Sequence, residues 1–194
     1  MLTAEGRKYK AELEARIEAR IAAFKIEQRE LLEELASVGI RVDIVNRLTH
    51  VSASTFRHAL PIILNHLKRH YSAGTLESLA RLLARKEAQP RWDDIVSMYK
   101  ASAGQKNEGP GDVNMALAAA VAASCPPRRI PELIELLRDH ALPNRVLLLA
   151  PIRRRRGTNR GIADVIAELR HDPELSIEIN SWKVLGPHER PLSH

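Results

Sequence analysis

The sequence predicts an all-helical domain, and three observations support this fold class. Glycine (9 of 194 residues) and aromatic side chains (4%) are scarce, whereas β-sandwiches and barrels depend on glycine-rich turns and on aromatic or β-branched strands. Leu, Ala, Glu and Arg, which favour helices, dominate the composition. Apolar residues also recur at three- and four-residue spacing, as they do on one face of a helix. With 44% hydrophobic residues the chain is long enough to bury a core.

Residues 1–38 form the first predicted segment, a single amphipathic helix that runs from residue 3 to about residue 37. Its apolar face consists of Ile17, Ile21, Phe24, Leu31 and Leu35. Two interpretations are open for this helix: it packs on the rest of the domain, or it extends as a coiled-coil arm and dimerises. Because Gln28 occupies a heptad core position and the apolar run is shorter than three heptads, we expect the packed arrangement.

Residues 39–185 are predicted to contain three copies of a unit made of two helices and a short turn. Segment 59–85 aligns without gaps with segment 129–155, at an offset of 70 residues. The identical pairs are Pro61/Pro131, Leu67/Leu137, His70/His140, Leu79/Leu149, Ala80/Ala150 and Arg85/Arg155. The middle copy begins near Trp92 and carries an insertion in the polar loop 103–111. Paired helices with a period of ~35–40 residues are typical of an α-solenoid, whose neighbouring units share one core.

The two prolines and the leucines make specific structural predictions. Pro61 and Pro131 are each expected near the start of a helix, where a missing backbone N–H costs nothing. Leu67 and Leu137 are expected to be buried at equivalent positions, as are Leu79 and Leu149.

The openings LPIILNHL and IPELIELL, each followed by a second helix rich in Ala and Leu, resemble HEAT repeats. The stretch from Leu35 to Lys100 is similar to small uncharacterised bacterial HEAT-repeat proteins. It contains Gly39-Ile40-x-Val42, Val45-x-x-Leu48 and TLESLARLLARKEA followed by a tryptophan. The resemblance covers roughly residues 35–180 and implies a short right-handed, ARM-like α-solenoid, while repeat motifs of this kind imply little about function.

The C-terminal region completes the predicted domain. Ile162, Val165, Ile166 and Leu169 have helical spacing. Between residues 175 and 185 the apolar pattern fits either a helix or a strand, and we favour a helix that caps the array. Residues 186–194 are predicted to be a disordered tail.

Positive charge is concentrated in the later third of the chain. The formal net charge is +6, and segment 128–160 alone holds nine basic and three acidic residues. The sharpest cluster is Arg153–Arg156, four successive arginines in a predicted helix. Guanidinium groups bind phosphates and carboxylates, which predicts an anionic partner. The alternative is that these arginines only complement the dipole of a solvated helix end.

These features predict a non-catalytic scaffold or adaptor that binds an acidic protein partner through a basic solenoid surface. The expected binding residues are Arg81, Arg85, Arg145, Arg153, Arg154, Arg155 and Arg156, of which Arg81, Arg85, Arg145 and Arg156 are taken to be exposed. The alternative function is nucleic-acid binding through the arginine-rich segment 128–160. Since Trp92 and Trp182 are the only tryptophans and single-strand binders need aromatic platforms, the protein partner is favoured. A third hypothesis is an oligomer that assembles through the N-terminal helix.

No motif in the sequence predicts an enzyme, a cofactor or a metal centre. Phosphate-binding loops, dinucleotide fingerprints, nucleophile elbows and HExxH are all absent. His66 and His70 share a helix face but have no third ligand nearby in sequence, and Cys125 has no neighbouring base. One cysteine, a charged N-terminus and no apolar run of ~18 residues predict a cytoplasmic protein outside the membrane.

Overall fold

The computed structural model describes residues 3–104, 111–157 and 160–182, and within these ranges the chain forms helices and no strand. The helices are α1 (Ala4–Glu27), α2 (Arg29–Ser37), α3 (Ala53–His66), α4 (Ala73–Leu82), α5 (Trp92–Ser102), α6 (Val113–Ser124), α7 (Ile130–Arg138), α8 (Leu149–Arg155), α9 (Arg160–Leu169) and α10 (Ser176–Ser181). Short 3₁₀ helices span Val45–His50, Lys86–Arg91, Pro127–Arg129 and Arg145–Leu148. The all-helical prediction is confirmed, and none of the described helices has the length and apolarity needed to cross a membrane.

The predicted N-terminal helix is divided into two helices at Gln28. The Gln28 side chain is buried, and its Oε1 accepts a hydrogen bond from the backbone N–H of Val45 at 3.0 Å. Leu31 and Leu35 on α2 are fully buried and α2 packs against α3. Residues 7–23 of α1 are instead exposed throughout. Helix α2 and the last turn of α1 therefore contact the domain, whereas residues 7–23 of α1 are exposed.

Local capping sets where several helices begin and end. Gly39 adopts a left-handed φ of 84° after α2, and the next N–H, that of Ile40, reaches back to the Leu35 carbonyl at 2.9 Å. The side chains of Ser52, Ser72 and Asp112 accept hydrogen bonds from the first turns of α3, α4 and α6.

The two prolines of the repeat lie in different places. Ser52 starts α3 at Ala53, so Pro61 lies inside that helix and its predicted place near the helix start is wrong. Pro131 does lie in the first turn of α7.

Helix α6 lies at the centre of the core. It packs against α4, α5, the 3₁₀ helix Arg145–Leu148 and α8. Its alanines allow close approach of these neighbours because a methyl group adds little width; Ala116, Ala118, Ala120 and Ala122 are all buried. The second helices of the three predicted units, α4, α6 and α8, are therefore neighbours in space, with α6 between the other two.

The burial predicted from the 70-residue offset is correct at some positions and wrong at others. Leu79 and Leu149 are both buried, as expected. Leu67 is only half-buried because it lies just beyond the end of α3, whereas Leu137 is fully buried within α7. Similarly, Ala80 is buried and Ala150 is exposed, so the two aligned segments differ in packing.

The C-terminal region is helical at the position where the sequence pattern was ambiguous. Leu175, Ile179 and Trp182 are buried, whereas Ile177 is 81% exposed, which is the spacing of a helix face. The interpretation as a helix is confirmed for Ser176–Ser181. The predicted tail 186–194 and most of the polar loop 103–111 lie outside the described residues.

Candidate partner-binding surface

The seven arginines predicted to bind a partner do not form one surface. Arg81, on α4, is exposed and its guanidinium lies 2.6 Å from the Glu77 carboxylate one turn earlier. Arg85 is half-buried, with its guanidinium 4.2 Å from the centre of the Phe56 ring and its Nε 2.9 Å from Glu87. The predicted exposure of Arg85 is therefore wrong, because this side chain packs on an aromatic ring and pairs locally.

Arg145 is the clearest correction, since its side chain is only 3% exposed. Its guanidinium donates to both carboxylate oxygens of Asp172, at 2.6 and 3.1 Å, to Glu174 at 3.0 Å and to the Leu137 carbonyl at 2.7 Å. The hydrogen bond from Arg145 holds the pKa of Asp172 below its usual value, against the opposing effect of burial. Arg145 is therefore part of the core and is not available to a partner.

Much of the local positive charge is neutralised by acidic residues from other parts of the chain. Arg129 lies 2.6 Å from Asp93, Arg138 lies 2.6 Å from Glu168, and Arg153 lies 3.3 Å from Glu178. All three acids lie outside segment 128–160, so counting charge along that segment overestimates the excess that remains on the folded surface.

The end of α8 keeps an unneutralised part of this charge. Arg154 is exposed and donates to the Ala150 carbonyl at 3.3 Å. Arg156 is half-buried and donates to the Arg153 carbonyl at 2.9 Å, so its predicted exposure is wrong. Within the described residues, neither Arg154 nor Arg156 contacts a carboxylate. Arg155 is half-buried and donates to the Pro151 carbonyl at 3.1 Å. The four arginines point in different directions, as successive residues on a helix must.

An apolar cleft of about 460 Å³ lies beside Arg153 and Arg154, between the 3₁₀ helix Arg145–Leu148 and α10. It is lined by Val146, Leu147, Leu149, Ala150, Arg153, Arg154, Glu178 and Trp182. Glu178 accepts a hydrogen bond from the Trp182 indole at 2.9 Å, and the Arg153 guanidinium lies 5.9 Å from the centre of the Trp182 ring. We call these eight residues the α8 cleft; it combines an apolar floor with a rim of two arginines and one glutamate.

The residues considered for catalysis or metal binding lie in different environments. His66 is fully buried, with Nδ1 2.6 Å from the Tyr71 hydroxyl and Nε2 3.1 Å from a Glu34 carboxylate oxygen, while His70 is exposed. Burial raises the pKa of the Cys125 thiol to about 11, so the reactive thiolate is disfavoured at neutral pH. In the described part of the chain, no three His, Cys, Asp or Glu side chains are grouped as metal ligands.

The cleft is the feature of this surface that reasoning from the sequence missed. The cleft brings Leu147 and Trp182 together across 35 positions, and no motif relates them. The signal present in the sequence is the helical spacing of Leu175, Ile179 and Trp182. This spacing places Trp182 on a helix face, but it does not identify the residues that Trp182 contacts.

No protein-family model matches the chain, and no curated protein or solved structure matches it either. The functional interpretation therefore depends on the residues of this chain alone. The resemblance to HEAT-repeat proteins stays a prediction.

Proposed function

We propose that the chain is a non-catalytic adaptor, built as a HEAT-like α-solenoid, that binds an acidic protein segment at the α8 cleft. In this proposal α4, α6 and α8 are the second helices of three consecutive units. The 70-residue sequence offset and the position of α6 between α4 and α8 support that arrangement.

The observation that carries the proposal is the contact between the cationic end of α8 and the apolar cleft. Arg154 and the partly paired Arg153 form one side of the opening. A segment with several carboxylates and one aliphatic side chain would match both parts. Its carboxylates would steer association and set the orientation, while the aliphatic group would fill the space above Leu147, Ala150 and Trp182.

The same geometry favours a protein segment over a nucleic acid. Trp182 is only 7% exposed, so little of its ring face is available for a base to stack on, and the other cleft-lining side chains are aliphatic or charged. Sequence-tolerant binders of single strands depend on stacking platforms. Arg81, Arg85 and Arg145 have no part in the proposed site.

The proposal is tested with two labelled 20-residue peptides of mixed Asp and Glu, one with a central Leu and the other with Ser at that position. Fluorescence anisotropy at ~0.15 M salt, where exposed charges are screened beyond ~8 Å, reports the Kd of each. We expect the Leu peptide to bind more tightly. The variant with Arg153→Ser, Arg154→Ser, Arg155→Ser and Arg156→Ser should lose about tenfold or more in affinity for it, because it lacks the charges that select the partner.

A matched control removes the same charge from other exposed sites. It carries Arg41→Ser, Arg57→Ser, Lys68→Ser and Lys100→Ser, and all four positions are exposed. This control should bind the Leu peptide nearly as well as wild type. An equal loss in both variants would reduce the effect to net charge and contradict the site. Micromolar binding of random-sequence duplex or single-stranded DNA that is lost only in the α8 variant would make nucleic acid the partner.

A further inference from the structure

Helix α1 lies mostly outside the tertiary packing of the described chain. Its last turn contacts α4 through Glu27, and Arg16 and Arg20 line an open cleft opposite residues 72–74. It has 24 residues, which corresponds to about 36 Å at 1.5 Å per residue. Every residue from 7 to 23 is exposed, including Leu13 at 42%, Ile17 at 50% and Ile21 at 38%. A helix without tertiary packing is marginal in water, since most helical stability comes from an apolar face that is covered.

The exposed apolar residues form a stripe with an ordered arrangement of charge on each side. At about 100° per residue, Leu13, Ile17 and Ile21 lie within an arc of about 80°. Glu14 and Glu18 then lie on one flank, at about 60° and 100° from Ile17.

The opposite flank carries the opposite charge. Arg16 and Arg20 lie there at about the same angles from Ile17 as the two glutamates. One side of the stripe is therefore acidic and the other is basic over the same two turns.

This arrangement distinguishes between the two ways in which a second copy can cover the stripe. In a parallel pair related by a two-fold axis along the helices, the acidic flank of each copy faces the basic flank of the other. Glu14 and Glu18 then meet Arg16 and Arg20 at nearly the same height. In an antiparallel pair related by a perpendicular two-fold axis, each flank faces its own equivalent, which places glutamates against glutamates and arginines against arginines.

We infer that α1 is a dimerisation helix that pairs in parallel and in register with α1 of a second copy of this chain. Flanking charges of this kind set partner choice and orientation in helix pairs. The contacts that these side chains make within one copy are weak and exchangeable. Lys10 lies 3.7 Å from Glu14 with both side chains exposed, and the Arg20 guanidinium lies 5.3 Å from the centre of the Phe24 ring.

The structure also shows where the paired segment must end. Phe24 is half-buried, and Gln28 is buried against the body of the same copy. The pair therefore extends from about residue 13 to residue 24, with both bodies attached at the same end. This inference is independent of the proposed adaptor function, because it uses none of the residues of the α8 cleft.

The first test measures the mass of the full-length chain by light scattering at ~10–100 μM, a range suited to a helix pair with three main apolar layers. We expect wild type at twice 21.8 kDa. The variant with Ile17→Glu and Ile21→Glu should be monomeric and still folded, because both side chains are exposed. The matched control is Ile177→Glu, since Ile177 is 81% exposed on α10; this variant should stay dimeric. A monomeric wild type, or a dimer that persists in the Ile17→Glu, Ile21→Glu variant, overturns the inference.

The second test determines orientation with a single introduced cysteine. In a Cys125→Ala background, Leu13→Cys and Ile21→Cys should each form a disulfide-linked dimer under mild oxidation, because only a parallel, in-register pair brings both positions against their own equivalents. An antiparallel pair centred on Ile17 would instead link an equimolar mixture of the Leu13→Cys and Ile21→Cys variants. Preferential linkage in that mixture, with little in Ile21→Cys alone, would contradict the parallel arrangement.

Discussion

The two ends of the helical body are attached by different kinds of contact. At the N-terminal junction, carboxylates of the first two helices reach the α3–α4 connection: Glu27 accepts from Ser72 and Thr75, and Glu34 contacts His66 and Arg69. At the C-terminal junction the polarity is the same, because the body again supplies the cationic side chains. There the arginines belong to the body, and the acids belong to α9, α10 and the turn between them: Arg138–Glu168, Arg145–Asp172 and Arg153–Glu178.

Burial distinguishes these junctions more than charge does. The Arg145 and Asp172 side chains are 3% and 7% exposed, and Asp172 also accepts from the backbone N–H groups of Glu174 and Leu175 at 2.9 and 3.2 Å. At the N-terminal junction the ion pair between Arg69 and Glu34 is about one-third exposed on each side. The buried polar side chains there are Gln28, His66 and Thr75. The C-terminal junction thus depends on a buried arginine–carboxylate pair, and the N-terminal junction on these polar side chains and on apolar packing.

Removal of the buried arginine should produce the largest effect. Arg145→Ala leaves the Asp172 carboxylate buried without its main partner, which typically costs about 3–5 kcal/mol. Urea denaturation followed by circular dichroism should show a matching decrease in the free energy of unfolding. The control is Arg138→Ala, which removes the more exposed arginine of the same junction and should change stability little. Equal losses in the two variants would contradict the distinction between the buried and exposed pairs.

The corresponding change at the N-terminal junction should have a smaller effect. Gln28→Ala leaves the buried N–H of Val45 without its acceptor, which typically costs about 1–3 kcal/mol. The neighbouring Arg29→Ala is a suitable control because the Arg29 side chain is 81% exposed. Differential scanning calorimetry should show a lower Tm for Gln28→Ala and an almost unchanged Tm for Arg29→Ala. A loss of stability as large as that of Arg145→Ala would show that the N-terminal junction does not depend less on its buried polar group than the C-terminal junction does.

The features that the sequence predicts correctly are those that depend on residues close together in the chain. The all-helical class, the burial of Leu79 and Leu149 and the helix around Ile179 depend on spacing within a few residues, and these predictions are confirmed. The error at Pro61 arises because the residue that determines the start of the helix lies outside the local window around the proline. The Ser52 cap that starts α3 lies nine residues earlier, and the proline was the stronger local signal.

The errors concern residues whose environment is set by distant parts of the chain. An arginine is exposed by default, and nothing near Arg145 indicates that Asp172 and Glu174 will enclose it. The charge excess of segment 128–160 was overestimated for the same reason. The apolar residues of the first two helices share one spacing, yet Leu31 and Leu35 enter the core while Leu13 and Ile17 stay exposed. Spacing predicts a face, and only the tertiary structure determines what covers it.

The smallest effect should be the response of the C-terminal junction to acid. An unfolded Asp has a pKa of about 3.9, and the hydrogen bond from Arg145 holds the pKa of Asp172 lower in the folded chain despite burial. Between those two values the unfolded state binds more protons. The stabilisation by the ionised carboxylate is therefore present above the unfolded pKa and is lost as pH falls towards the folded pKa.

Asp172→Asn cannot titrate, so although it is less stable near neutral pH, its free energy of unfolding should fall less steeply than that of wild type below about pH 5. Urea titrations of both proteins from pH 7 to pH 3 give the two slopes, and Asp164→Asn, at an exposed carboxylate on α9, controls for general charge effects. Identical acid slopes in wild type and Asp172→Asn would show that this carboxylate is not a source of the acid response.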